Sequence, residues 1–471
     1  MHKTPFVIDP EPMTGNCTAH AGLAAASRVY RSLNIPGSCE ANLRLKSRDR
    51  GCQSSQVVES VLLMQASGGD CMDDMDRLRE DEGVQAILGY ETPASRTVRD
   101  FLLKFHDEAL YKKAQESARK HEQLAFIPEE NGALEGLRRV LSGSVTSIVR
   151  RVDAGKIATV DQDATIVASE KRTARVAYEG TRGYQPMLAV WAETGLVLAD
   201  EFRDGNVPAR MAPLACAKAA FRTLPQGIEV YGFRGDSACY EQELLNWLAD
   251  EKREGGPEGR IAFAVSAVMS QELAAACRKI PEKDWLTTKT EADGTLRQWA
   301  EVAFVPSAKY EHKASRPLRY LAIRLLKAQG LLFEDGSDRR HLAVATNRTE
   351  AGDLVLDWHR EKAGTVEHVH DEIKNGLAGG HMPGYRFGMN AAWFRIVCLT
   401  HNVLTALRQG WADETIRTAK LKRLRFAVLS VTGRVVRDRR TLRLRIGASR
   451  EWIQRLVQLF ETFPLPTQAT G

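Results

Sequence analysis

The amino-acid sequence predicts an α/β protein built on a mixed β-sheet with helices on both faces. Three strand-like runs follow one another after Ala154: "KIATVDQDATIVAS", "GYQPMLAVWAE" and "GLVLADEFRDG". The pattern then alternates between a helix, "ARMAPLACAKAAFRTL", a strand, "GIEVYGFRGD", a second helix, "YEQELLNWLADEKR", and a fifth strand, "RIAFAVS". Adjacent strands followed by alternating helices and strands are typical of a mixed sheet.

The region before this sheet, residues 1–150, is expected to be helical. Apolar residues recur at helical spacing in "SSQVVESVLLMQASGG" and in "SRTVRDFLLKFHDEALYKKAQESARK", with Ser55 and Ser95 as candidate caps. The second segment enters a short helix with Arg96 and Arg99 on its surface, which suits a DNA-contacting helical module. A plain helical bundle accounts for the segment equally well.

The region after the fifth strand divides into three parts. Residues 281–345 are expected to form a β-rich insertion, because two strand-like runs meet at Asp293-Gly294, a strong hairpin signal. Residues 346–410 have a helical pattern, and residues 411–471 are expected to form a basic helical tail. Thr415 to Arg450 holds twelve Lys or Arg and one acid, Asp438. Such a block commonly binds a polyanion, and a solvated helix face is the alternative.

Composition excludes several classes of protein. No run of about 18 apolar residues exists, so no transmembrane helix is expected, and the N-terminus lacks the pattern of a signal peptide. The eight cysteines form no CxxC pair, which indicates reduced thiols in a cytoplasmic protein rather than a zinc site. His368 and His370 lie close together in "EHVHDE", but without cysteine partners they predict no metal site.

The stretch "IATVDQDATIVAS" carries two carboxylates on one face of a strand. With strand periodicity, Asp161 and Asp163 point to one side with Thr159 and Thr165, and mostly apolar residues point to the other. Like charges this close repel each other and resist burial. A positive group should therefore compensate them.

Two further segments place acidic residues where a site is expected. Asp236 ends the apolar strand "VYGFRGD" and precedes a helix, where carboxylates of α/β sheets are well placed for catalysis, although Asp236 also fits an ordinary helix cap. Glu367 and Lys374 are seven residues apart on a predicted helix, so both project from one flank beside its apolar stripe. A surface ion pair is the alternative for these two residues.

The motifs "DAT" after a strand, "DSACY" at the end of a strand and E-x6-K on a late helix resemble those of the DDE transposases of bacterial insertion sequences. The likeness is to the branch whose third motif reads Y-x2-R-x3-E-x6-K, and most closely to the IS-thirteen-eighty group, with "GYQP" and "GTVE" adding to it. It runs from about residue 50 to 410. The tyrosine and arginine positions of the family fall on Arg360 and Ala363 here. Lys362, Arg360 or Lys374 would therefore have to hold phosphate.

The resemblance implies a ribonuclease-H-like catalytic domain, with its first part at 151–280 and the helices that carry the third carboxylate at 346–410. It implies Asp163, Asp236 and Glu367 as catalytic carboxylates that bind two Mg²⁺ or Mn²⁺ ions, with Asp161 as the rival for the first ligand or as a helper. Lys374 would orient a phosphate. Trp299 is a candidate for stacking on a flipped base, although a tryptophan in the core is the commoner case.

The resemblance also implies an activity and partners. Strand cleavage at element ends, followed by strand transfer into target DNA, would give cut-and-paste transposition by a homodimer on terminal inverted repeats. Such a protein would be cytoplasmic in a bacterium, associated with the nucleoid when bound to DNA, and without a membrane partner. Two alternatives stay open: a ribonuclease-H-like nuclease without strand transfer, and an inactive domesticated DNA-binding relative.

Overall fold

A computed structural model describes residues 8–11, 15–45, 51–306, 318–328, 331–438 and 441–466. The strands are β1 Cys17–Thr18, β2 Ile157–Ala164, β3 Val167–Ala168, β4 Arg175–Val176, β5 Arg182–Tyr184, β6 Met187–Trp191, β7 Leu196–Glu201, β8 Val230–Gly235, β9 Ile261–Ser266, β10 Leu286–Thr290, β11 Leu296–Glu301, β12 Arg319–Leu326, β13 Arg339–Thr346, β14 Gly433–Asp438 and β15 Thr441–Ile446.

The helices before the sheet are α1 Leu23–Ser32, α2 Ile35–Asn42, α3 Ser54–Ser67, α4 Asp74–Glu80, α5 Glu82–Leu88, α6 Ser95–Leu103, α7 Glu108–Lys120 and α8 Gly132–Val149. The later helices are α9 Pro213–Thr223, α10 Gln242–Ala249, α11 Gln271–Arg278, α12 Gly352–Arg360, α13 Lys362–Asp371, α14 Phe387–Gly410, α15 Glu414–Arg417, α16 Leu421–Leu424 and α17 Arg450–Thr462. Short 3₁₀ turns lie at Ser237–Cys239 and Glu282–Asp284, and π turns at Glu372–Gly376 and Arg425–Leu429.

Nine strands form one mixed sheet in the order β10-β11-β12-β13-β9-β8-β2-β6-β7. β8 runs parallel to both of its neighbours, β2 and β9, and the remaining pairs are antiparallel. The predicted mixed α/β architecture is therefore confirmed. Two three-stranded sheets accompany it, one of β1, β14 and β15 and one of β3, β5 and β4.

Side chains of β2 alternate between helices on the two faces of the sheet. Gln162 Nε2 donates to the carbonyl oxygen of Pro213, the first residue of α9, at 2.9 Å. Its neighbour Asp161 instead accepts a hydrogen bond from Thr365 of α13. Because successive strand residues point to opposite faces, α9 and α13 cover opposite sides of the sheet. Asp161 and Asp163 therefore both face α13, as the alternation predicts.

The long helix α14 joins the N-terminal helices to the sheet. Its residues 388–408 are all buried, and it contacts α1, α3, α6 and α8 as well as β7. Gly388 permits the close approach to the end of α6, because a Cβ at this position would lie 2.1 Å from the carbonyl oxygen of Phe105. The helical region and the sheet consequently share one hydrophobic core.

The β-rich segment predicted at 281–345 extends the main sheet. β10 and β11 pair in the expected hairpin, and Gly294 in its turn has a φ of +79°, which favours glycine. β12 and β13 continue the meander, and β13 pairs with β9. Strands β10–β13 therefore extend the sheet on the β9 side, away from β2 and β8, whose ends carry the acidic residues.

The basic C-terminal segment combines helices with a β-hairpin that the sequence reading did not include. β14 and β15 pair with each other, and β14 also pairs with β1 near the N-terminus. Leucine and arginine alternate over 442–445, which is a strand pattern. The high positive charge of the segment favoured the prediction of a helical tail instead of these strands.

Candidate active site

Two carboxylates lie side by side where β2 and β8 end. Asp163 is the penultimate residue of β2, and Asp236 follows β8 directly. Gln162 is in register with Gly235, so the two aspartates leave adjacent parallel strands at the same edge. Asp236 also caps the next turn, accepting from the backbone N–H of Ala238 at 3.0 Å. Asp236 can therefore be both a residue of the site and the cap of the following turn.

Asp161, two residues earlier, is tied to an arginine instead. Its two oxygens accept hydrogen bonds from Arg234 Nε at 2.6 Å and from Arg234 Nη2 at 2.9 Å. Both side chains are buried, and the residues are direct partners in the β2–β8 ladder. Thr365 donates to the same carboxylate. Arg234 is the compensating positive group for Asp161, and it joins both strands to the start of α13.

Lys362 at the start of α13 balances the carboxylates at the strand ends. Its Nζ lies 3.3 Å from Asp163 Oδ1, and the residue is buried. Burial alone would lower the pKa of Lys362, but the charges of Asp163 and Asp236 outweigh it and raise the pKa. Burial and the neighbouring Asp163 raise the pKa of Asp236. One buried ammonium therefore faces two acidic groups.

His370 contacts the other oxygen of Asp163. Its Nε2 lies 3.4 Å from Asp163 Oδ2, and the residue is 6% exposed. In the described part of the chain, neither ring nitrogen of His370 forms a hydrogen bond. Burial alone would raise the pKa of Asp163, but His370 and Lys362 lower it overall.

Glu367 and Lys374 flank His370 in the chain. Glu367 is exposed, one helical turn before His370, and within the described residues it forms no hydrogen bond or ion pair. Lys374 lies in the π turn after α13, with its Nζ 3.2 Å from the hydroxyl of Thr165. Because Lys362, His370 and Lys374 all reach the end of β2, the helix that carries Glu367 passes directly over the two aspartates.

Three potential metal ligands whose donor atoms all come within 4.8 Å of one another could hold a single ion. In the described ranges this arrangement occurs once, at Asp70, Cys71 and Asp74. There Asp74 Oδ2 accepts from two backbone N–H groups, of Asp70 at 2.9 Å and of Cys71 at 3.2 Å, so it serves the turn before α4. Asp163, Asp236 and Glu367 are therefore not gathered as tightly as the ligands of a single ion. Two ions held roughly 4 Å apart would allow this wider spacing.

The remaining residues predicted for DNA contact lie on other elements. Arg96 and Arg99 are exposed on α6, and Arg360 pairs with Asp357 on α12 at 2.9 Å. Trp299 is half-buried on β11, where a Cβ added at Gly352 would lie 2.2 Å from its ring. This close contact is typical of a packed tryptophan, the alternative given above for Trp299.

The residues at the strand ends fit a divalent cation. Carboxylate oxygens suit Mg²⁺ and Mn²⁺. The buried ammonium of Lys362 already lies 3.3 Å from Asp163, so these strand ends accommodate a positive charge. The open nitrogens of His370 offer a further donor beside Asp163. Sequence reasoning did not foresee Arg234 in this cluster, two residues before Asp236, and it noted His370 only as a residue that predicts no metal site.

Comparisons with known proteins identify a family for this chain. The family model described as "Transposase DDE domain group 1" matches residues 12–465. A cryo-EM structure of a piggyBac transposase synaptic complex with hairpin DNA matches with a TM-score of 0.45 and 10% identity, over 88% of this chain and 82% of that chain. No curated protein matches. In the described residues no helix has the length and apolarity needed to cross a bilayer. Since the family model covers nearly the whole sequence, this chain belongs to the transposases with a group 1 DDE domain.

Proposed function

We propose that this transposase cleaves DNA strands at the ends of a bacterial insertion sequence of the IS-thirteen-eighty group and joins the freed 3′ ends to target DNA by a cut-and-paste route. The observation that carries the proposal is the pair Asp163 and Asp236 at the ends of two parallel strands, with Glu367 on the helix above them. Family membership supports DNA cleavage and transfer in general. The motifs quoted above support the narrower group.

Asp163, Asp236 and Glu367 would hold two Mg²⁺ or Mn²⁺ ions. When bound, such ions activate an attacking water or 3′-hydroxyl and stabilise the leaving oxygen of a phosphodiester. Asp163 is the better candidate for the first ligand, because both oxygens of Asp161 are already bound by Arg234. Asp161 then acts as a positioning residue that fixes β2 against β8.

Lys374 and Lys362 would place the scissile phosphate. Lys374 is half-buried and contacts Thr165, two residues beyond Asp163, so its ammonium lies at the same end of β2 as the acidic pair. Lys362 lies against the pair itself. Two ammonium groups at this end of β2 would attract the phosphate to the site and offset its repulsion by the acids.

Residues outside the site would bind DNA away from the reacting bond. We propose this role for Arg96 and Arg99 in the helical region 1–150, for Arg360, and for the basic region 411–471. The hairpin β14–β15 exposes arginines on both strands, at positions 434, 437, 443 and 445. The regions 151–280 and 346–410 would form the catalytic part, and 281–345 its extension. A homodimer would hold two element ends together.

The test is a cleavage and joining assay on DNA that carries the inverted repeats flanking the gene, with Mg²⁺ or Mn²⁺. Asp163→Asn, Asp236→Asn and Glu367→Gln should each abolish cleavage while DNA binding persists. Asp371→Asn is the matched control, because Asp371 is an exposed carboxylate on the same helix that accepts a hydrogen bond from Asn375 Nδ2 at 2.7 Å. Cleavage by all three variants at the wild-type rate would contradict the proposal. Cleavage without a joined product would favour the nuclease, and binding without cleavage the inactive relative.

Asp161→Asn separates the two candidates for the first ligand. It should lower the free energy of unfolding, because the buried Arg234 loses its partner. The folded fraction should still bind Mn²⁺ and cleave DNA in a metal-dependent way. If instead Asp161→Asn removes Mn²⁺ binding and Asp163→Asn does not, the assignment of Asp163 is wrong.

A further inference from the structure

We propose that His370 is a nitrogen ligand of the cation bound at Asp163, on the side of that carboxylate opposite Lys362. The inference rests on the proposed metal-dependent function and adds a ligand to its three carboxylates. A site of this kind would hold one ion through oxygen and nitrogen together rather than through oxygen alone.

The first observation is that both ring nitrogens of His370 lack a hydrogen-bond partner among the described residues, although His370 is buried. Buried polar side-chain atoms are nearly always paired with protein or water, so an open pair of nitrogens calls for a reason. A bound cation supplies a partner for one of them, Nε2, which is the nitrogen beside Asp163, because neutral imidazole is a common metal ligand.

The second observation is the placement of Nε2 beside Asp163. The distance of 3.4 Å to Oδ2 is too long and misdirected for a good hydrogen bond. At metal–ligand distances of about 2.1 Å, two ligands at right angles on one ion lie roughly 3 Å apart. The pair His370 and Asp163 therefore has nearly the separation of two neighbouring ligands.

The third observation is that the two oxygens of Asp163 face different groups. Oδ1 lies 3.3 Å from Lys362, and Oδ2 lies next to His370. Asp236 interacts with Lys362, and its carboxylate is not within 4.8 Å of the ligand atoms of both Asp163 and His370. As placed here, His370 would therefore share an ion with Asp163 and not with Asp236. The carboxylate of Glu367, one turn earlier on α13, is likewise not within 4.8 Å of the ligand atoms of both residues.

A mixed set of ligands has a consequence for metal preference. Mg²⁺ binds almost entirely to oxygen, whereas Mn²⁺ and other transition ions accept imidazole readily. The ion beside His370 should therefore be bound more tightly when it is Mn²⁺ than when it is Mg²⁺, and His370→Gln should reduce that difference.

The experiment is pulsed EPR of the full-length, tag-free protein titrated with Mn²⁺. The wild type should show a ¹⁴N coupling from a directly bound imidazole. His370→Gln should lose the coupling and bind Mn²⁺ about 10–100-fold more weakly. His368→Gln is the matched control, since His368 lies exposed two residues earlier on the same helix, and it should keep the coupling. Circular dichroism of each variant confirms that it is folded.

Two results would overturn the assignment: Mn²⁺ binding by the wild type without ¹⁴N coupling, or a coupling that survives in His370→Gln. The first result is measured on the wild type alone, so it would overturn the proposal even if His370→Gln did not fold. Asp163→Asn tests the proposed function separately. If it abolishes Mn²⁺ binding while the wild type shows no ¹⁴N coupling, the carboxylate site stands and only the role of His370 is wrong. If the wild type binds no Mn²⁺, with or without DNA, both proposals fail.

Discussion

Two buried histidines lie next to carboxylates in this protein, and their surroundings differ in one respect. His401 on α14 has partners for both nitrogens, Glu372 Oε1 at 3.1 Å and the carbonyl oxygen of Gly195 at 2.9 Å. Glu372 is bound further by Arg408 at 2.7 Å. His370 lies beside the carboxylate of Asp163, but neither of its nitrogens forms a hydrogen bond within the described ranges of the chain. Both nitrogens of His401 are therefore bound by protein groups, whereas both nitrogens of His370 are available to a ligand.

The difference separates a structural cluster from a reactive one. Around Glu372, one carboxylate meets a guanidinium and an imidazole, so its charge is well compensated. Around Asp163, two acids share the single ammonium of Lys362. The negative charge that Lys362 does not compensate destabilises the folded chain, because these carboxylates are partly buried. The same uncompensated charge favours tight binding of a cation. Substitutions should therefore affect activity in one cluster and stability in the other.

The largest effect is expected from Asp236→Asn. Cleavage should fall on the order of 10⁴-fold, about 5 kcal/mol in the barrier, because a ligand of the reacting centre is lost. The free energy of unfolding should not fall, because asparagine can still cap the turn at Ala238 and no longer repels Asp163. Single-turnover cleavage and thermal unfolding measure the two quantities. A large loss of stability with little loss of rate would reverse the comparison.

Glu372→Ala should have the opposite outcome. Removing this carboxylate leaves the buried Arg408 and His401 without their shared partner, which should cost roughly 3 kcal/mol of stability. Denaturant unfolding at neutral pH measures the loss. Cleavage per folded molecule should stay within a few-fold of the wild type, and a loss as large as that of Asp236→Asn would place Glu372 in the reaction.

The Glu372 cluster should also make stability depend on pH. Burial alone would raise the pKa of Glu372, but the bonds from His401 and Arg408 outweigh it and bring the pKa to about 2, below the ordinary value of 4.5. Because the pKa is lowered in the folded state, this stabilisation is complete above about pH 4.5 and is lost as the pH falls toward 2. Its size is on the order of 3 kcal/mol.

The measurement is the free energy of unfolding of wild type and Glu372→Gln between pH 6 and the lowest pH at which the chain stays folded. The difference between the two proteins should shrink steadily below about pH 4.5. A constant difference across this window would mean that Glu372 has an ordinary pKa, and that its pairing with Arg408 and His401 is weak.

Exchanging each histidine for glutamine compares the two clusters directly. His401→Gln should cost about 1–2 kcal/mol of stability, because at least one of the groups bound by His401 loses its partner. His370→Gln should cost less than about 1 kcal/mol, since no hydrogen bond is removed. Denaturant unfolding without added metal gives both values. Equal losses would show that His370 is a structural residue.

The smallest effect is expected in the hairpin β14–β15. Arg437→Ala and Arg445→Ala should each weaken DNA binding modestly and lower the dependence of log K on log salt by about 1. Binding isotherms at several salt concentrations provide the slope. Glu461→Ala, an exposed acidic position on α17, is the control and should leave the slope unchanged. An unchanged slope in both arginine variants would remove the hairpin from the DNA-binding surface.

The sequence predicted those parts of the site that depend on local pattern. Strand alternation placed Asp161 and Asp163 on one face of β2, and the end of an apolar run located Asp236. It could not predict that Arg234 compensates Asp161, because that pairing depends on the register between strands 73 residues apart. Nor could it place His370 on Asp163, since the rotation of α13 against the sheet is set by packing in three dimensions. The assignment of Glu367 follows from the E-x6-K motif.

The burial of α14 has a consequence for how such proteins can be recombined. This one helix is covered by the N-terminal helices on one side and by the edge of the sheet on the other. Exchanging residues 15–150 for those of a relative would therefore create mismatched surfaces along its whole length. A working chimera should need the facing residues of α14 to be transplanted together with the new N-terminal region, and limited proteolysis should not release that region as a stable fragment.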